Sequence, residues 1–221
     1  MNARDNSMTM ARIAIVAIIS YQVLLILLIF LRPDLDPTWH SISEWAIGKY
    51  GWLMTAGFLI SGLSYALLCI VIRKEVRGKI GQAGVLLFLV CVLGTCGVGF
   101  FTTDPIQMIG HPTTRGMLHI ICGTTALALF PFAALMLTLN IAKRNQTWVS
   151  VKRTLSFTAF IPLAGFLGFV IYTLVYVAPK GPGAYGPGVN IGLPPRVAFL
   201  SYMVWVVMMG TSYIRIKNQN A

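Results

Sequence analysis

Four ionisable side chains that could bind a ligand or carry out acid–base chemistry lie within sixteen positions of one another. They are Asp104, His111, Arg115 and His119. The apolar stretches on either side, residues 80–101 and 117–141, contain no other charged residue or histidine. A histidine oriented by a carboxylate is a common general base, and an arginine binds phosphate or carboxylate groups. This segment therefore predicts a polar site that binds an anionic group or performs acid–base chemistry.

Two prolines set the helix ends that would position these side chains. Pro105 disfavours helical backbone at Asp104, so we expect the preceding helix to stop there. Pro112 suits the first turn of a new helix, which would place Arg115 and His119 on one face, four positions apart. We predict that Asp104 and His119 form a hydrogen bond. Two interpretations of His119 remain open: the pair locks two helices together, or it serves a functional site.

A second polar segment lies between the first and second apolar stretches, at residues 32–50. Ser41 and Glu44 have the spacing of a capping box, and His40 lies four residues before Glu44. We expect a short helix on the membrane surface, with its aromatic residues at the level of the lipid headgroups. They are Trp39, Trp45, Tyr50 and Trp52. Either this helix is only an anchor capped by Glu44, or Ser43, Glu44 and His40 face the bundle and belong to a site.

Composition assigns the chain to the integral membrane proteins. It has 221 residues, of which 57% are hydrophobic and 10% charged, with a mean hydropathy of +0.76, whereas soluble domains are about a quarter charged. Crossing the hydrocarbon core as a helix takes about 20 apolar residues. Six stretches qualify: 13–31, 52–72, 80–101, 117–141, 155–178 and 197–214. The prediction is an all-α bundle of six transmembrane helices forming a single domain over residues 1–221.

The distribution of Lys and Arg predicts the orientation in the membrane. Twelve of the 17 basic residues lie at one end of the six spans and five at the other. Because basic residues are retained in the cytoplasm, both termini are predicted to be cytoplasmic and the segments around Glu44 and His119 to face outwards. We expect a multi-pass protein of the bacterial inner membrane. The charge lies in short loops beside spans, which argues against nucleic acid as a partner.

The last outer connection, residues 178–195, is rich in Gly and Pro and precedes Arg196. Such a segment is neither helix nor central strand, and it is either a lid over the polar mouth or a passive connector. A cation at a helix N-terminus is unfavourable by about 0.3–1 kcal/mol. Arg196 should therefore meet an acid or a phosphate, or extend to the membrane surface.

Proline and cysteine residues inside the spans add two expectations. Pro131 and Pro162 should kink their helices unless neighbouring groups compensate. The four cysteines, none in a Cys-x-x-Cys pair, are expected to be small apolar packing residues, with a disulfide between Cys96 and Cys122 as the alternative.

Three short motifs and the six spans together resemble a known bacterial membrane family, the domain of unknown function 998. The motifs are Ser41-Ile42-Ser43-Glu44, Phe101-Thr102-Thr103-Asp104 and His119 at the start of the fourth span. The resemblance covers nearly the whole chain and points to Ser43, Glu44, Asp104 and His119 as its shared positions. More remotely, the arrangement is similar to the eukaryotic Frag, DRAM and Sfk group, which implies a connection with lipids by analogy only.

Three classes of function follow from these patterns. The first is binding or sensing of a lipid headgroup at the outer mouth, in which Arg115 and Arg196 meet phosphate while Glu44, Asp104 and His119 organise them, and Ser43 belongs to the same site. The second is a lipid-active hydrolase or transferase, with His119, Asp104 and Glu44 as catalytic candidates. In it, either His119 is a general base oriented by Asp104, or His and carboxylate side chains at the outer mouth hold a metal. The third is a carrier or haem electron carrier. No cofactor is identified, no metal site is assigned because a His-Glu-x-x-His motif is lacking, and membrane lipids are the expected partners.

Overall fold

The computed structural model describes residues 3–108, 111–181 and 183–219, and this part of the chain is helical without strands. Its α-helices are α1 (Ala3–Leu31), α2 (Gly51–Ile72), α3 (Gly78–Phe100), α4 (Thr114–Arg144), α5 (Lys152–Thr158), α6 (Phe160–Tyr172) and α7 (Leu193–Gln219). Short 3-10 helices cover Ile42–Ala46, Ile106–Met108, Gln146–Val151 and Ala178–Lys180. Six segments are long and apolar enough to span a membrane, as predicted.

The fifth span is built from several pieces rather than one helix. The chain turns at Ala159, between α5 and α6, and a π-helical turn, Thr173–Val177, follows α6. Pro162 explains the first interruption because it has no N–H for the carbonyl of Thr158 and its ring crowds that position. The predicted effect of Pro162 is thus observed as a break three residues before it.

Pro131 has a different outcome, since α4 continues as an α-helix through it. A proline here leaves the carbonyl four residues earlier, that of Leu127, without its helical donor. The hydroxyl of Tyr202 on α7 donates to that carbonyl over 2.7 Å. The ring of Tyr202 also stacks on Phe130, with centroids 4.3 Å apart. A neighbouring helix thus satisfies the freed carbonyl, as is required inside a membrane.

The helices form a ring in chain order, from α1 through α2, α3, α4 and α6 to α7, which returns to α1. Close packing depends on small residues: a Cβ on Gly62 would lie 2.5 Å from Sγ of Cys96, and one on Gly97 would lie 2.5 Å from Sγ of Cys122. These glycines let neighbouring helices approach closely, as small residues do at helix contacts in membranes. All four cysteines are free, so the alternative of a Cys96–Cys122 disulfide is wrong.

A buried acid joins three segments at the end of the bundle that carries both termini. The Glu75 side chain accepts hydrogen bonds from Lys217 Nζ (2.8 Å), Trp148 Nε1 (3.0 Å) and Asn145 Nδ2 (2.9 Å). Nearby, the Asn140 side chain bonds both backbone groups of Arg77. These contacts hold the segments together at the predicted cytoplasmic end. The polar segments around Ser43 and His119 lie at the opposite end.

Candidate functional site

His119 is buried in the first turns of α4, and three other segments hold its ring. Its Nδ1 lies 2.8 Å from the carbonyl oxygen of Phe101, where α3 has just ended, and its Nε2 lies 2.8 Å from Oγ of Ser43. The ring of Phe58 on α2 packs edge-on at 6.1 Å. His119 thus connects the ends of two helices to the loop between α1 and α2.

The partners of His119 fix the roles of its two nitrogens. A carbonyl oxygen can only accept, so Nδ1 carries the proton and donates to Phe101. In the neutral ring Nε2 is then an acceptor, and the Ser43 hydroxyl donates to it. The Phe101 carbonyl is available because helix C-termini leave carbonyls without intrahelical donors. The local result is a serine hydroxyl directed at an imidazole of fixed tautomer.

Ser43 is placed by a 3-10 helix, Ile42–Ala46, which the capping box organises as predicted. The backbone N–H of Ser41 donates to Glu44 Oε2 over 2.8 Å, and the N–H of Glu44 donates to the carbonyl of Ser41 over 3.1 Å. Trp45 is only 1% exposed and donates from Nε1 to the carbonyl of Leu28. The ring of Trp45 therefore packs into the bundle and anchors the short helix there, while its level relative to the lipid headgroups stays a prediction.

The structure agrees in part with each of the two interpretations of the 32–50 segment. Glu44 is a capping residue that is buried within its own short helix, while Ser43 reaches the bundle through His119. His40 is buried as well, but its Nδ1 lies 3.1 Å from the carbonyl of Asp36 and its ring packs at a tilt against that of Trp39. The short helix therefore presents one polar side chain, Ser43, to the interior.

An ion pair closes the base of the same loop. Arg32 binds the carboxylate of Asp34, with Nη2–Oδ2 2.7 Å apart, and also donates to the carbonyls of Ile47 (2.7 Å) and Lys49 (3.0 Å). The hydrogen bonds from Arg32 lower the pKa of the Asp34 carboxyl below its ordinary value. Arg32 thereby ties the two ends of the loop together and fixes where the Ser43 segment begins and ends.

The predicted hydrogen bond between Asp104 and His119 does not form. Asp104 instead accepts from the backbone N–H of Thr113 (2.7 Å) and from its hydroxyl (2.8 Å), and Thr113 caps α4 by accepting from the N–H of Gly116 (3.1 Å). A Cβ at Gly116 would overlap the Asp104 carboxylate, so glycine is needed there. The carboxylate lies at the positive end of α4, where it is favourable, and sets the start of the helix that carries His119.

The start of α4 also differs from prediction. The helix begins at Thr114 with Thr113 as its N-cap, so Pro112 precedes the cap and is not in the first turn. Arg115 is exposed while His119 is buried, so the two do not share a functional face. His111 is exposed as well.

Arg196 connects the last loop to the first. Its Nη1 donates to the carbonyls of His40 (3.0 Å) and Gly192 (2.7 Å), and its guanidinium lies 4.4 Å from the centre of the Trp45 ring. The N–H of Gly192 donates to the carbonyl of Thr38. Carbonyls and an aromatic face, rather than an acid within ion-pairing distance, surround this cation among the described residues. The Gly/Pro-rich loop therefore packs on the 32–50 loop.

A cavity of about 360 Å³ begins at the Ser43–His119 pair and extends into the bundle. Its polar end also includes Ser41 and Thr103, and its walls are mainly apolar. The walls come from all six spans, with Tyr21, Phe58, Tyr65, Val98, Leu127, Phe169 and Phe199 among them. Ile120 and Thr124 of α4 line it and are exposed. The cavity is therefore open beside the first turns of α4.

A model of one protein family, described as "Protein of unknown function (DUF998)", matches residues 15–212. The chain belongs to this family. No curated protein and no solved structure matches it. Membership in DUF998 agrees with the resemblance found in the sequence, and the description of the family assigns no reaction or ligand.

Of the six site residues predicted from the sequence of this DUF998 protein, the structure brings two together at the cavity, Ser43 and His119. Glu44 and Asp104 hold the segments that carry this pair, Arg196 joins two loops, and Arg115 is exposed away from the lining. Sequence reasoning missed the apolar walls and Thr103. No three His, Cys, Asp or Glu side chains converge as metal ligands in the described part of the chain.

Proposed function

We propose that this DUF998 protein binds a membrane amphiphile, with an apolar chain in the cavity and a neutral polar group at Ser43 and His119. The observation that carries this proposal is the cavity itself. Ligand pockets have volumes of about 300–1,000 Å³, are mostly apolar and contain a few convergent polar groups. A site of about 360 Å³ within the spans that is also open beside the first turns of α4 has this character.

The lining favours the linking region of a lipid over its phosphate. The described residues around the cavity contribute hydroxyls and one imidazole but no charged side chain. The two arginines that the sequence assigned to phosphate do not line it: Arg196 is engaged by loop carbonyls, and Arg115 is exposed one turn from His119. Arg115 remains suited to an anionic headgroup at the membrane surface. The polar contacts inside are then made to a hydroxyl, ester or amide.

The same proposal places the cavity in the outer half of the bacterial inner membrane, with both termini in the cytoplasm. It rests on the twelve-to-five division of basic residues between the two ends of the helices. The polar end of the cavity lies at the end with five. The protein would bind or sense a lipid of the outer leaflet.

Gly123 offers a direct test, because it lines the cavity and has room for a side chain. A Cβ there would meet only Cγ2 of Val98, at 3.4 Å. The substitution Gly123→Leu should fill part of the cavity without breaking the helix contacts. Gly168→Leu is a matched control, since Gly168 lies in a membrane helix, is exposed, does not line the cavity and has nothing within 4 Å of its added Cβ.

The measurement is native mass spectrometry of protein released from lipid nanodiscs, with identification of the retained lipid. Wild type and Gly168→Leu should retain one amphiphile per chain, and Gly123→Leu should retain at least tenfold less. Equal retention by Gly123→Leu and the control would show that any bound lipid lies elsewhere. A wild-type protein that retains none in nanodiscs of its own membrane lipids would refute the proposal.

A further inference from the structure

The contact between Ser43 and His119 has the geometry of a nucleophile and its base. Oγ and Nε2 are 2.8 Å apart, within the hydrogen-bond range expected of such pairs. Serine hydrolases use a third group to hold the imidazole in the tautomer that accepts the serine proton. Here the Phe101 carbonyl does so, by accepting from Nδ1. The burial of His119 and the edge of Phe58 restrict the ring further.

The geometry points to an acyl-transfer site in which Ser43 is the nucleophile, His119 is the general base, and a neutral carboxylic ester of a membrane lipid is the substrate. This inference rests on the proposed binding of an amphiphile in the cavity. It gives that site a reaction and a substrate class.

Each step balances with water as the second substrate. Oγ of Ser43 forms a bond to the ester carbonyl carbon while its proton passes to Nε2 of His119. The bond from that carbon to the alcohol oxygen then breaks, and His119 returns the proton to the departing alcohol, which leaves an acyl group on Ser43. Water then gives a proton to the same nitrogen as its oxygen bonds to the acyl carbon. The bond from that carbon to Oγ breaks, His119 returns the proton to Oγ, and a carboxylic acid is released with Ser43 restored. A lipid alcohol in place of water would give acyl transfer.

The residues that line the cavity favour a carboxylic ester over a phosphate ester as the substrate. Phosphoryl transfer depends on cations that neutralise the transferring group, and Lys and Arg are absent from the described lining. The oxyanion formed on a carboxylic ester needs only neutral hydrogen-bond donors. Ser41 and Thr103 line the same cavity. The Thr103 hydroxyl donates to the carbonyl of Asp104 over 3.3 Å, so the Ser41 hydroxyl is the candidate donor. The apolar walls would hold the acyl chain while the ester carbonyl lies beside Ser43.

Covalent labelling of the full-length protein in detergent tests the pair directly. Two reagents that modify activated serines are compared, a long-chain alkyl fluorophosphonate and the small phenylmethylsulfonyl fluoride, and the adduct is mapped by peptide mass spectrometry. Wild type should be modified at Ser43. His119→Gln should be modified at least a hundredfold more slowly, because a general base contributes about 10²–10⁴-fold. Ser201→Ala, which alters a helix hydroxyl bonded to a backbone carbonyl, should react like wild type.

A second assay follows release of the acyl group from p-nitrophenyl palmitate and p-nitrophenyl butyrate, with thermal unfolding of every variant measured in parallel. Ser43→Ala should abolish release without loss of the folded state. If folded wild type is not modified at Ser43 by either reagent, or if His119→Gln reacts as fast as wild type, the inference is overturned. Mapping the adduct in wild type requires no variant to fold.

The two proposals fail in different ways. If an amphiphile is retained but Ser43 does not react, binding stands and acyl transfer falls. If the small reagent modifies Ser43 through His119 but Gly123→Leu does not slow the long-chain reagent, the reactive pair stands and chain binding in the cavity falls.

Discussion

A double-mutant cycle between Ser43 and His119 should reveal coupling, whereas the cycle between Asp104 and His119 should not. Ser43→Ala removes the donor to Nε2 and leaves a nitrogen without a partner inside the bundle, and His119→Phe removes both bonds of the imidazole. A net hydrogen bond contributes about 0.5–1.5 kcal/mol, and a buried group left unpaired costs about 1–3 kcal/mol. We expect Ser43→Ala to cost about 1–2 kcal/mol and His119→Phe about 2–4 kcal/mol, from its two bonds.

In the His119→Phe background the Ser43–His119 hydrogen bond is already lost, so Ser43→Ala cannot remove it a second time. The double mutant should therefore be about 1 kcal/mol more stable than the sum of the single effects predicts, within the range for contacting residues. Asp104→Asn weakens the Thr113 cap and should cost about 0.5–2 kcal/mol. That effect should add to the His119→Phe effect within about 0.5 kcal/mol.

The assay is the free energy of unfolding in mixed detergent micelles, from titration with a denaturing detergent and followed by tryptophan fluorescence. The comparison distinguishes two arrangements, since a histidine bonded to Asp104 would give the reverse pattern. Additivity for Ser43 with His119, together with coupling for Asp104 with His119, would refute the geometry on which the site is based.

Three further predictions concern other parts of the molecule. Glu75→Gln should destabilise the protein by about 1–3 kcal/mol in the same titration, because the buried acceptor of three hydrogen bonds loses its charge; a change below about 0.5 kcal/mol would contradict this role. Asp34→Asn should cost at most about 1 kcal/mol at pH 7, as expected of an exposed ion pair with Arg32. Since the folded pKa of Asp34 lies below its ordinary value of 3.8, this cost should stay constant down to about pH 4 and disappear as pH falls through the folded pKa; growth of the difference on acidification would show the sign to be wrong. Cysteine at Lys180 should react with a membrane-impermeant maleimide added to intact cells and cysteine at Lys79 should not; the opposite pattern would invert the orientation.

Hydropathy and local motifs predicted the spans, the capping box and the helix break because each depends on residues that are close together in the chain. A stretch of some twenty apolar residues is stable in a bilayer only as a helix. The six spans could therefore be predicted without knowing which helices pack against one another. The capping box at Ser41 and Glu44 depends on residues three apart and was likewise predictable. The break near Pro162 follows from a missing N–H in the same helix.

Contacts between distant residues could not be predicted in the same way. Ser43 and His119 are 76 positions apart, and a lone histidine in a span shows no preference among several hydroxyls and acids. The sequence favoured Asp104 because it is close in the chain. In the structure that carboxylate binds Thr113 instead, because Thr113 at the start of α4 offers it two donors, a backbone N–H and a hydroxyl. The outcome at Pro131 could not be predicted either. Its helix stays intact because Tyr202 donates to the carbonyl that the proline leaves free, and only the packed structure shows that Tyr202 lies there.

The most direct test of the central claim is photo-crosslinking with a lipid that carries a diazirine in its acyl chain. It would be applied to the protein in nanodiscs, with adducts mapped by mass spectrometry. We predict adducts concentrated on residues 120–127 of α4 and on Phe199, and their loss in Gly123→Leu. Adducts confined to the exposed apolar surface of the fifth span, and unchanged by Gly123→Leu, would contradict the assignment of the cavity as a lipid site.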